Sequence, residues 1–486
     1  MGSSEHGSLF PDLRDRFIGV DCEVPLLDGS STRYVNLDNA ATTPPLSQVV
    51  DTVNRFLPYY SSVHRGTGFK SRLSTVVYDQ AHEIIARFVG ADPQTNTVIF
   101  GKNTTEAINK LSYRIALPPD AIVITTQMEH HSNDLPWRDR TNVIHVRATP
   151  DGRLDEDDFD HTLMKHAGQV ALVCVTAASN VTGFVQPIHR LARKAHAVGA
   201  RILVDAAQLA AHRRLEMKTD DDPEHLDFVA LSGHKMYAPF GTGALIGPKE
   251  VFLQSGPEYS GGGTVDMVTM DEVSWAGVPD REESGSPNIV GAVAIAAAAQ
   301  ILMDLGMDDV AAHEDKLISY TLEQLRTVPN LRVYGQSDPA KSSEKVGVVP
   351  FNLDGMSHFK VAAILGYEAG IGVRSGCFCA HPYVVHLLQL SEDEQVTWHE
   401  RVLNGNRTDL PGMVRASFGC YNDTEDIGRL IDMLKQVARG DYRGDYEVDP
   451  GSGDFIPKNY PERFSEYFLL LDEGNTSVGV HGPCGR

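Results

Sequence analysis

The sequence predicts an α/β protein in which a large, mostly parallel sheet domain is followed by a smaller α+β domain. Short apolar runs at residues 121–126, 170–178 and 200–207 are typical of buried strands. An amphipathic pattern over residues 188–199, which ends in a glycine, predicts a helix between the last two strands. Strand, helix and strand in this order indicate parallel strands that are covered by helices on both faces of the sheet.

The change of pattern along the chain predicts four segments. Residues 1–45 are expected to form an N-terminal arm and part of the small domain, and residues 46–305 the large domain. Residues 306–440 are expected to form the small C-terminal domain, and residues 441–486, which are rich in Gly, Pro and Asp, an extended tail. The Ala-rich run at residues 289–302 fits a packed helix better than a membrane span.

Composition limits the classes of function. A chain of 486 residues that is 42% hydrophobic can bury a large core in two or more domains. Its formal net charge of −22 argues against binding to nucleic acid or to an anionic membrane. The six cysteines are sparse, and only Cys377 and Cys379 are close in sequence, which indicates a reducing compartment and a cytoplasmic protein.

Lys235 stands in an unusual setting for a lysine. It follows the apolar run at residues 228–231 and precedes a Gly-rich loop, in the stretch LSGHKMYAPFGTGALIG (residues 231–247). A buried ammonium group is costly unless it is paired or used in chemistry. Lys235 is therefore either a lysine whose side chain extends from a strand end to solvent or one that carries a cofactor as a Schiff base.

Further polar residues follow predicted strands, and ligands of parallel sheets bind at the carboxyl ends of the strands. Each of these residues has an ordinary structural alternative, as a helix cap, a turn residue or a loop residue. Asn103, Thr104 and Thr105 open a predicted helix, where free N–H groups and hydroxyls can hold a phosphate. The candidates that follow the other strands are His130, His131, Asn180, Asp205 and Gln208.

Together these residues supply what pyridoxal 5′-phosphate (PLP) requires. Lys235 would form the Schiff base, and the carboxylate of Asp205 would keep the pyridine nitrogen protonated. Asn180 and Gln208 would contact the ring oxygen. The side chains expected to hold the phosphate are those of Thr104, Thr105, Ser232 and His234.

Ordered motifs along residues 33–438 resemble the class V, fold-type I PLP enzymes, and most closely their SufS-like branch of cysteine desulfurases and selenocysteine lyases. The resemblance implies a large PLP-binding domain and a small C-terminal domain that carries a reactive cysteine. The motifs are YVNLDNAATTPP (34–45), VHRGTG (63–68), NTTEAIN (103–109), EHHSNDLPW (129–137), SNVTG (179–183), VDAAQ (204–208), SGHK (232–235), GGGTV (261–265), REESGSPN (281–288), VRSGCFCAHP (373–382) and VRASFGCYN (414–422).

The resemblance implies roles for individual residues. His130 matches the residue that stacks on the PLP ring. Arg415, assisted by Arg374, matches the arginine that grips the substrate carboxylate, a task that suits its planar, bidentate guanidinium. Asn180 and the backbone at Ala40 would approach the same carboxylate.

A second implication concerns the assembly. His64 and Ser286 match residues that reach the PLP phosphate of the neighbouring subunit. Ser286 stands where threonine is more usual, which keeps the hydroxyl. The resemblance therefore implies a homodimer with shared active sites.

The thiol determines the chemistry. Cys379 aligns with the nucleophilic cysteine of the family, and the Gly and Pro residues around it predict an exposed loop, where a thiolate can attack sulfur. The implied reaction converts L-cysteine to L-alanine and leaves a persulfide on Cys379, from which an acceptor protein would take the sulfur. Cys377 is either a rival nucleophile or the next sulfur carrier. A CxC pair without further Cys or His ligands is a poor zinc motif, so no metal site is predicted.

Other functions stay open at this point. Selenocysteine lyase, C–S lyase on a cysteine conjugate, and class V aminotransferase or epimerase reactions would use the same cofactor site. A sulfur-relay scaffold without catalysis is disfavoured, because the lysine, the acid, the stacking histidine and the carboxylate-binding arginine are all present. The added polar segment at residues 391–410 is either a solvated insertion, a cover for the pocket or a contact for an acceptor protein.

Overall fold

The structure is a computed structural model that describes residues 13–64, 66–461 and 463–470. The start of the predicted N-terminal arm and the end of the predicted tail lie outside these residues. Three short strands precede the first helix: β1 (Glu23–Pro25), β2 (Ser31–Arg33) and β3 (Val35–Asn36). Strands β1 and β2 form an antiparallel hairpin.

A seven-stranded sheet confirms the predicted α/β architecture. Its strands are β4 (Asn96–Gly101), β5 (Ile122–Thr126), β6 (Asn142–Val146), β7 (Val170–Thr176), β8 (Arg201–Asp205), β9 (Phe228–Ser232) and β10 (Gly243–Pro248). The strand order is β4–β10–β9–β8–β7–β5–β6. All neighbours are parallel except that β10 runs antiparallel to both β4 and β9. Because the sheet is covered on both faces, most residues of its strands are buried, and the edge strand β6 is the main exception.

Helices and one further hairpin surround this sheet. The helices are α1 (Ser47–Phe56), α2 (Phe69–Phe88), α3 (Thr104–Arg114), α4 (Leu135–Arg138), α5 (Glu156–Lys165), α6 (Ile188–Ala197), α7 (Lys249–Leu253), α8 (Ile289–Leu305) and α9 (Met307–Leu325). The hairpin consists of β11 (Val265–Val268) and β12 (Val273–Trp275). Helix α6 is the helix predicted between two parallel strands, and it buries Leu191, Ala192 and Ala195.

The Ala-rich run predicted to be a packed helix forms α8, and most of its side chains are buried. Small side chains let a helix approach its neighbours closely, and α8 packs against both α1 and α2. Within the described ranges, no single helix combines the length and hydropathy of a membrane span. Helices α8 and α9 meet those criteria only as a pair, across a bend of 77°.

The C-terminal part contains a second, four-stranded antiparallel sheet. Its elements are β13 (Leu331–Val333), β14 (Val348–Leu353), α10 (His358–Ala369), β15 (Ile371–Gly372), β16 (Arg374–Gly376), α11 (His381–Leu388), α12 (Glu392–Leu403), β17 (Met413–Ser417) and α13 (Thr424–Arg439). The strand order is β13–β14–β17–β16. The N-terminal strand β3 pairs in parallel with β15, and Arg14 and Arg33 both form ion pairs with the buried Asp426 of α13. The N-terminal segment therefore packs on the C-terminal part of the chain.

Two polar segments differ from simple loops. Within the added segment 391–410, residues Glu392–Leu403 form α12, which begins with a capping box between Ser391 and Glu394 and contains no buried residue.

The tail was predicted to be extended. Its residues Tyr446–Val448 (β18) and Phe455–Pro457 (β19) instead form a hairpin. Glu368 of α10 holds the hairpin, since it accepts hydrogen bonds from Tyr446 and from the backbone just before it.

The cysteines depart from one expectation. Cys22 is disulfide-bonded, whereas Cys174, Cys377, Cys379 and Cys420 are free thiols. The low cysteine count alone predicted a reducing compartment, and a disulfide differs from that prediction.

The packing of β9, β10 and α3 places three parts of the candidate site side by side. Gly243, at the start of β10, lies against the start of α3, and a Cβ atom there would come within 2.5 Å of both Asn103 Cα and Leu231 O. Only glycine allows this approach. The end of β9, which leads to Lys235, is thereby brought next to the N-terminus of α3.

Candidate active site

A cavity of about 500 Å³ opens at the carboxyl ends of the parallel strands, where the sequence predicted a ligand. It brings together most of the predicted site residues. Those that line it are Ala40, Thr104, Thr105, His130, Asn180, Asp205, Gln208, Ser232, His234, Lys235, Arg374, Cys379 and Arg415.

Lys235 ends a short 3₁₀ turn, Gly233–Lys235, directly after β9. Burial lowers the pKa of its ammonium group to about 8, although the nearby carboxylate of Asp205 opposes this shift. Within the described residues, Lys235 makes no side-chain hydrogen bond or ion pair, so its amine is free to react. Lys235 lines the cavity and is half-buried there, as a lysine that holds a ligand would be.

Asp205 is the last residue of β8, and it is buried. Its Oδ1 accepts a hydrogen bond from the backbone N–H of Ala207 at 2.9 Å. No helix begins here, so the helix-cap alternative is wrong. Burial raises the pKa of this carboxyl, and the charge of Lys235 lowers it. Within the described residues Asp205 forms no salt bridge, and a buried carboxylate without a paired cation suits a cationic ligand.

His130 lies in the turn after β5. Its Nδ1 accepts a hydrogen bond from the backbone N–H of Ser132 at 3.1 Å, which leaves Nε2 to carry the ring proton. Burial, together with the charges of Lys235 and Arg415, lowers the pKa of this ring to about 3. His130 is therefore neutral at physiological pH and can lie against a flat ligand.

His131 has a different role from its neighbour. Its backbone N–H donates to Cys379 O at 2.8 Å. Its ring stacks on that of His381, with centroids 4.8 Å apart and planes at 5°. His131 therefore supports the loop that carries the thiols and does not line the cavity.

The N-terminus of α3 forms one wall of the cavity. Asn103 caps this helix through a hydrogen bond from Glu106 N to its side chain, so Thr104 is not the cap. The backbone N–H of Thr104 donates to Ser232 Oγ at 3.3 Å, and Thr105 Oγ1 lies 2.7 Å from Ser132 Oγ. Backbone N–H groups and hydroxyls at a helix N-terminus are a common anion site.

His234 completes this wall. Its Nδ1 lies 3.3 Å from Thr42 Oγ1, and burial lowers the pKa of its ring to about 4. It is thus neutral near pH 7 and can donate a hydrogen bond from one ring nitrogen.

Three residues that were predicted to contact a ligand, Gln208, Ala40 and Asn180, form hydrogen bonds with other parts of the chain. Gln208 Nε2 donates to Ala40 O at 2.7 Å, and the Ala40 N–H donates to Ser417 Oγ at 2.9 Å. Both backbone polar groups of Ala40 are therefore used within the protein. Asn180 Nδ2 donates to Phe378 O at 2.7 Å.

Arg415 is almost fully buried in β17 and is held on two sides. Its Nη1 donates to Asn180 O at 2.9 Å and its Nη2 to Asp38 Oδ1 at 3.0 Å. Its guanidinium also lies over the Phe378 ring, 4.8 Å from the centroid. Its Nε is buried and has no hydrogen-bond partner among the described residues. Arg415 is therefore preorganised, with an unused donor.

Sequence reasoning missed Asp38. This carboxylate also lies 2.9 Å from Arg374 Nη2, so it bridges the two arginines that were predicted to bind the substrate. Its position directly before the NAA motif (residues 39–41) was the available signal. Ser132 and Phe378, which line the cavity, were likewise not singled out.

The thiol loop has a constrained backbone. Phe378 and Cys379 both have positive φ angles, 53° and 55°, which side chains with a Cβ rarely adopt. Such strain is stored at functional sites when the surroundings hold it in place. Here Asn180 and His131 hydrogen-bond the carbonyl groups of the same two residues. The exposed thiol of Cys379 is thus presented at the cavity.

Cys377 differs from Cys379. It is partly buried, and its Sγ lies within 3.3 Å of Pro411 O, to which it donates. Burial raises the pKa of this thiol to about 12. At neutral pH it is almost wholly protonated and therefore a poor nucleophile.

Two predicted residues lie outside the cavity. His64 and Ser286 line a separate cavity of about 560 Å³ together with Gly262 and Gly263. The prediction had placed them against a neighbouring subunit, and the fold of one chain does not bring them to Lys235.

The cavity has the donor set that PLP needs. Thr104 Oγ1 is buried in its wall and has no hydrogen-bond partner among the described residues, so it lacks a partner that a phosphate would supply. The free amine of Lys235 suits an aldehyde, and the buried carboxylate of Asp205 suits a protonated ring nitrogen. The residues present therefore fit this cofactor.

Comparison with known proteins decides the family. A family model described as class-V aminotransferase matches residues 35–430. The chain belongs to this family. Such enzymes are generally PLP-dependent. The family predicted from the motifs, and the prediction that the protein is an enzyme, are thus confirmed.

Curated relatives are similar over most of the chain. The cysteine desulfurase of Haloferax volcanii is 34% identical over 436 residues, which cover 87% of this chain and 94% of that protein. The cysteine desulfurase of Dickeya dadantii is 34% identical over 435 residues, which cover 86% of this chain and 96% of that protein. These relatives support the predicted cysteine desulfurase function.

Solved structures agree. The apo cysteine desulfurase of Thermococcus onnurineus has a TM-score of 0.75 at 29% identity and covers 90% of this chain and 100% of that one. The cysteine desulfurase CsdA of Escherichia coli, solved in an S-sulfonic acid form, has a TM-score of 0.70 at 26% identity. The match covers 88% of this chain and 97% of that one. The predicted fold class is therefore confirmed.

Proposed function

We propose that this protein is a PLP-dependent cysteine desulfurase that converts L-cysteine to L-alanine and carries the sulfur as a persulfide on Cys379. The observation that carries this proposal is that Lys235, Asp205, Arg415 and Cys379 line one cavity. The lysine and the acid suit PLP, and the buried arginine suits an amino-acid carboxylate. The cysteine suits attack on the substrate sulfur.

PLP, when bound, links to an amine and withdraws electrons from the substrate Cα. Lys235 has a pKa of about 8, so an appreciable fraction of its amine is neutral at pH 7 and can attack the cofactor. Lys235 would hold PLP through Nζ, and its free amine in this cavity would take the Cα proton of the substrate. Asp205 stabilises a positive ring nitrogen, and that charge in turn offsets the cost of burying the carboxylate.

Arg415 binds the substrate carboxylate in this proposal. Its Nε–H has no partner, and Nη2 can share its protons between Asp38 and the substrate. Because Asn180 O and Asp38 already fix the guanidinium, little side-chain entropy is lost on binding. The neutral ring of His130 would offer the cofactor a flat apolar face without adding a charge.

Cys379 takes the sulfur. Its thiolate attacks the substrate Sγ, a new S–S bond forms, and the Cβ–Sγ bond breaks. The electron pair of the broken bond stays with the substrate carbon, which is protonated to give the methyl group of alanine. Sulfur is oxidised from the thiol to the persulfide level, and the carbon skeleton is reduced by the same two electrons.

A homodimer with shared active sites is part of the proposal. His64 and Ser286 line a cavity away from Lys235, which is the position expected for residues that serve a partner's site. Exposed apolar side chains occur here: Tyr60 lines this cavity, and Met267 directly follows its lining residue Asp266. An apolar surface of this kind favours burial between two copies of the chain.

An acceptor protein would approach the thiol loop beside α12. Trp398 of this helix stacks on His381, two residues after Cys379, with centroids 5.6 Å apart. Val396 and Leu403 of the same helix are exposed. We assign these two side chains to acceptor contact. We also assign the reaction to the cytoplasm, because the exposed Cys379 must stay a free thiol in order to react, even though Cys22 is disulfide-bonded.

Three substrates separate the proposed reaction from its alternatives. The purified holoenzyme is incubated with L-cysteine, L-selenocysteine or a bulky cysteine S-conjugate, and alanine, pyruvate and protein-bound sulfur are measured. The proposal predicts alanine and protein-bound sulfur in equal amounts from L-cysteine. Turnover of selenocysteine alone would assign a lyase, and pyruvate from the conjugate would assign β-elimination.

A further inference from the structure

A cluster of two histidines and one aspartate lies far from the cofactor cavity. His196 is in the last turn of α6, and His225 and Asp227 are in the segment that leads into β9. His196 Nε2 lies 2.9 Å from Asp227 Oδ2, and His225 Nε2 lies 3.7 Å from Asp227 Oδ1. The three ligand atoms all lie within 4.8 Å of one another.

The other ring nitrogens fix the tautomer of both histidines. His196 Nδ1 lies 2.8 Å from Pro223 O, and His225 Nδ1 lies 2.7 Å from Asp222 O. A carbonyl oxygen only accepts, so each Nδ1 carries a proton. In a neutral ring, Nε2 then presents a lone pair, and both Nε2 atoms face the carboxylate of Asp227.

Lone pairs that face a carboxylate at these distances require a positive charge between them. Two protons could supply it, but they would make two imidazolium rings that stack with centroids only 4.2 Å apart. A third cation, Arg201, stands 4.0 Å from Asp227 Oδ1, and it is engaged by Glu250 at 2.6 Å. One divalent cation would replace both protons and remove the repulsion between the rings.

We propose that His196, His225 and Asp227 form a structural site for a zinc-class divalent cation. Two imidazoles and one carboxylate are a common ligand set for such ions, and each imidazole donates its other N–H to a carbonyl, as metal-bound histidines do. Zinc binds these ligands at about 2.0–2.2 Å, which puts ligand atoms roughly 3.3 Å apart around a tetrahedral ion. His196 Nε2 lies 2.9 Å from Asp227 Oδ2 and His225 Nε2 lies 3.7 Å from Asp227 Oδ1, so each imidazole is near this spacing from one of the two carboxylate oxygens.

The site would join α6 to the start of β9. Asp227 is positioned by the backbone N–H of Ile202, which donates to its Oδ2 at 2.8 Å, so the cluster also reaches β8. The cluster lies at the amino ends of the parallel strands, whereas the cavity lies at their carboxyl ends. At 3.3 Å per residue, Asp227 is about 17 Å from Ser232 along β9. The proposed ion therefore stabilises the strand that leads to Lys235 and does not take part in the reaction.

The test measures zinc bound by the holoenzyme. Wild type, His196→Ala, His225→Ala and the control His189→Ala are equilibrated with Zn²⁺ and a competing chelator, and bound zinc per chain is measured by mass spectrometry of the metal after gel filtration. His189 is a matched control, because it lies on the same helix and contacts a backbone carbonyl, that of Glu224, but forms no ion pair with a carboxylate among the described residues. The PLP absorption band reports that each variant is folded.

The proposal predicts one zinc per chain at this site in wild type and in His189→Ala. His196→Ala and His225→Ala should each bind this zinc at least about tenfold more weakly. Zinc binding should also raise the unfolding temperature of wild type but not of these two variants. Equal zinc content and equal affinity in all four proteins would overturn the proposal and leave the cluster as an ion pair between protonated histidines and Asp227.

Discussion

Asp38 Oδ1 lies 3.0 Å from Arg415 Nη2, at the edge of the cavity that contains Lys235. The ion pair holds a buried guanidinium in place before any substrate arrives, and it leaves Nε without a partner. Arg374, which contacts the other oxygen of Asp38, has a side chain that is 51% exposed. If the two arginines bind the substrate carboxylate as proposed, they should therefore contribute unequally to that binding.

Substitution of the two arginines tests this difference. Arg415→Lys should raise KM for L-cysteine by about 10- to 100-fold, because a charge-assisted hydrogen bond to a buried partner contributes about 1.5–3 kcal/mol. Arg374→Lys should change KM by less than about threefold, since exposed ion pairs contribute little. Steady-state kinetics measure both values, and equal effects of the two substitutions would contradict the assignment.

The rate of cofactor attachment should depend on pH through Lys235. Its pKa is lowered from 10.5 to about 8, so the neutral, nucleophilic amine becomes predominant above pH 8. The rate at which PLP adds to the apoprotein should rise with pH and level off above about 8. Stopped-flow absorbance measures this rate. A rate that rises with an inflection near pH 10 would show that the pKa of Lys235 is not lowered and would contradict its buried environment.

Two variants control this measurement. The charge of Asp205 raises the pKa of Lys235, so Asp205→Asn should move the inflection to lower pH. Lys235→Ala should show no covalent attachment, and borohydride treatment of wild type should fix PLP on Lys235 alone. A reduced adduct mapped to another lysine by peptide mass spectrometry would refute the site.

The two neighbouring thiols should react at very different rates. Cys379 is exposed, whereas Cys377 donates to Pro411 O and has a pKa of about 12. Because the thiolate is the reactive form, iodoacetamide at pH 7.5 should label Cys379 at least about 100-fold faster than Cys377. Quantitative peptide mass spectrometry measures both rates. Preferential labelling of Cys377 would reverse the roles assigned to the two residues.

Much of the fold and of the site could be predicted from the sequence. Apolar runs locate buried strands, and strand ends locate ligands, so Asp205 and Lys235 follow from local pattern and general rules. The motifs then predict roles that pattern alone leaves open, such as those of Arg415 and Cys379, and these roles stay predictions.

The residues that were missed depend on long-range packing. Asp38 meets Arg415 across 377 positions of sequence, and no local pattern indicates that pair. No local pattern indicates the contact between the tail hairpin and Glu368, which accepts a hydrogen bond from Tyr446. The same is true of the contact between His196, which lies in α6, and Asp227, which lies just before β9. Polar residues acquire such roles only when the fold brings them together.

Close packing at Gly243 gives a prediction for stability. Gly243→Ala would force a Cβ atom against the backbone of Asn103 and Leu231, so the free energy of unfolding should fall by about 1–3 kcal/mol. Gly428→Ala is the matched control, because it lies in α13 with no atom within 4 Å of the new Cβ and should stabilise by about 0.5–1 kcal/mol. Denaturant titration measures both, and a neutral Gly243→Ala would contradict the packing argument.

The most direct test of the account concerns Cys379. Wild type, Cys379→Ala and Cys377→Ala are given L-cysteine, and alanine and protein-bound persulfide are measured together, with the PLP absorption band as the control for an intact cofactor site. The account predicts that Cys379→Ala keeps the band but forms neither product, while Cys377→Ala still forms the first persulfide, because its thiol is protonated and hydrogen-bonded to Pro411 O. Undiminished alanine from Cys379→Ala would contradict the desulfurase mechanism.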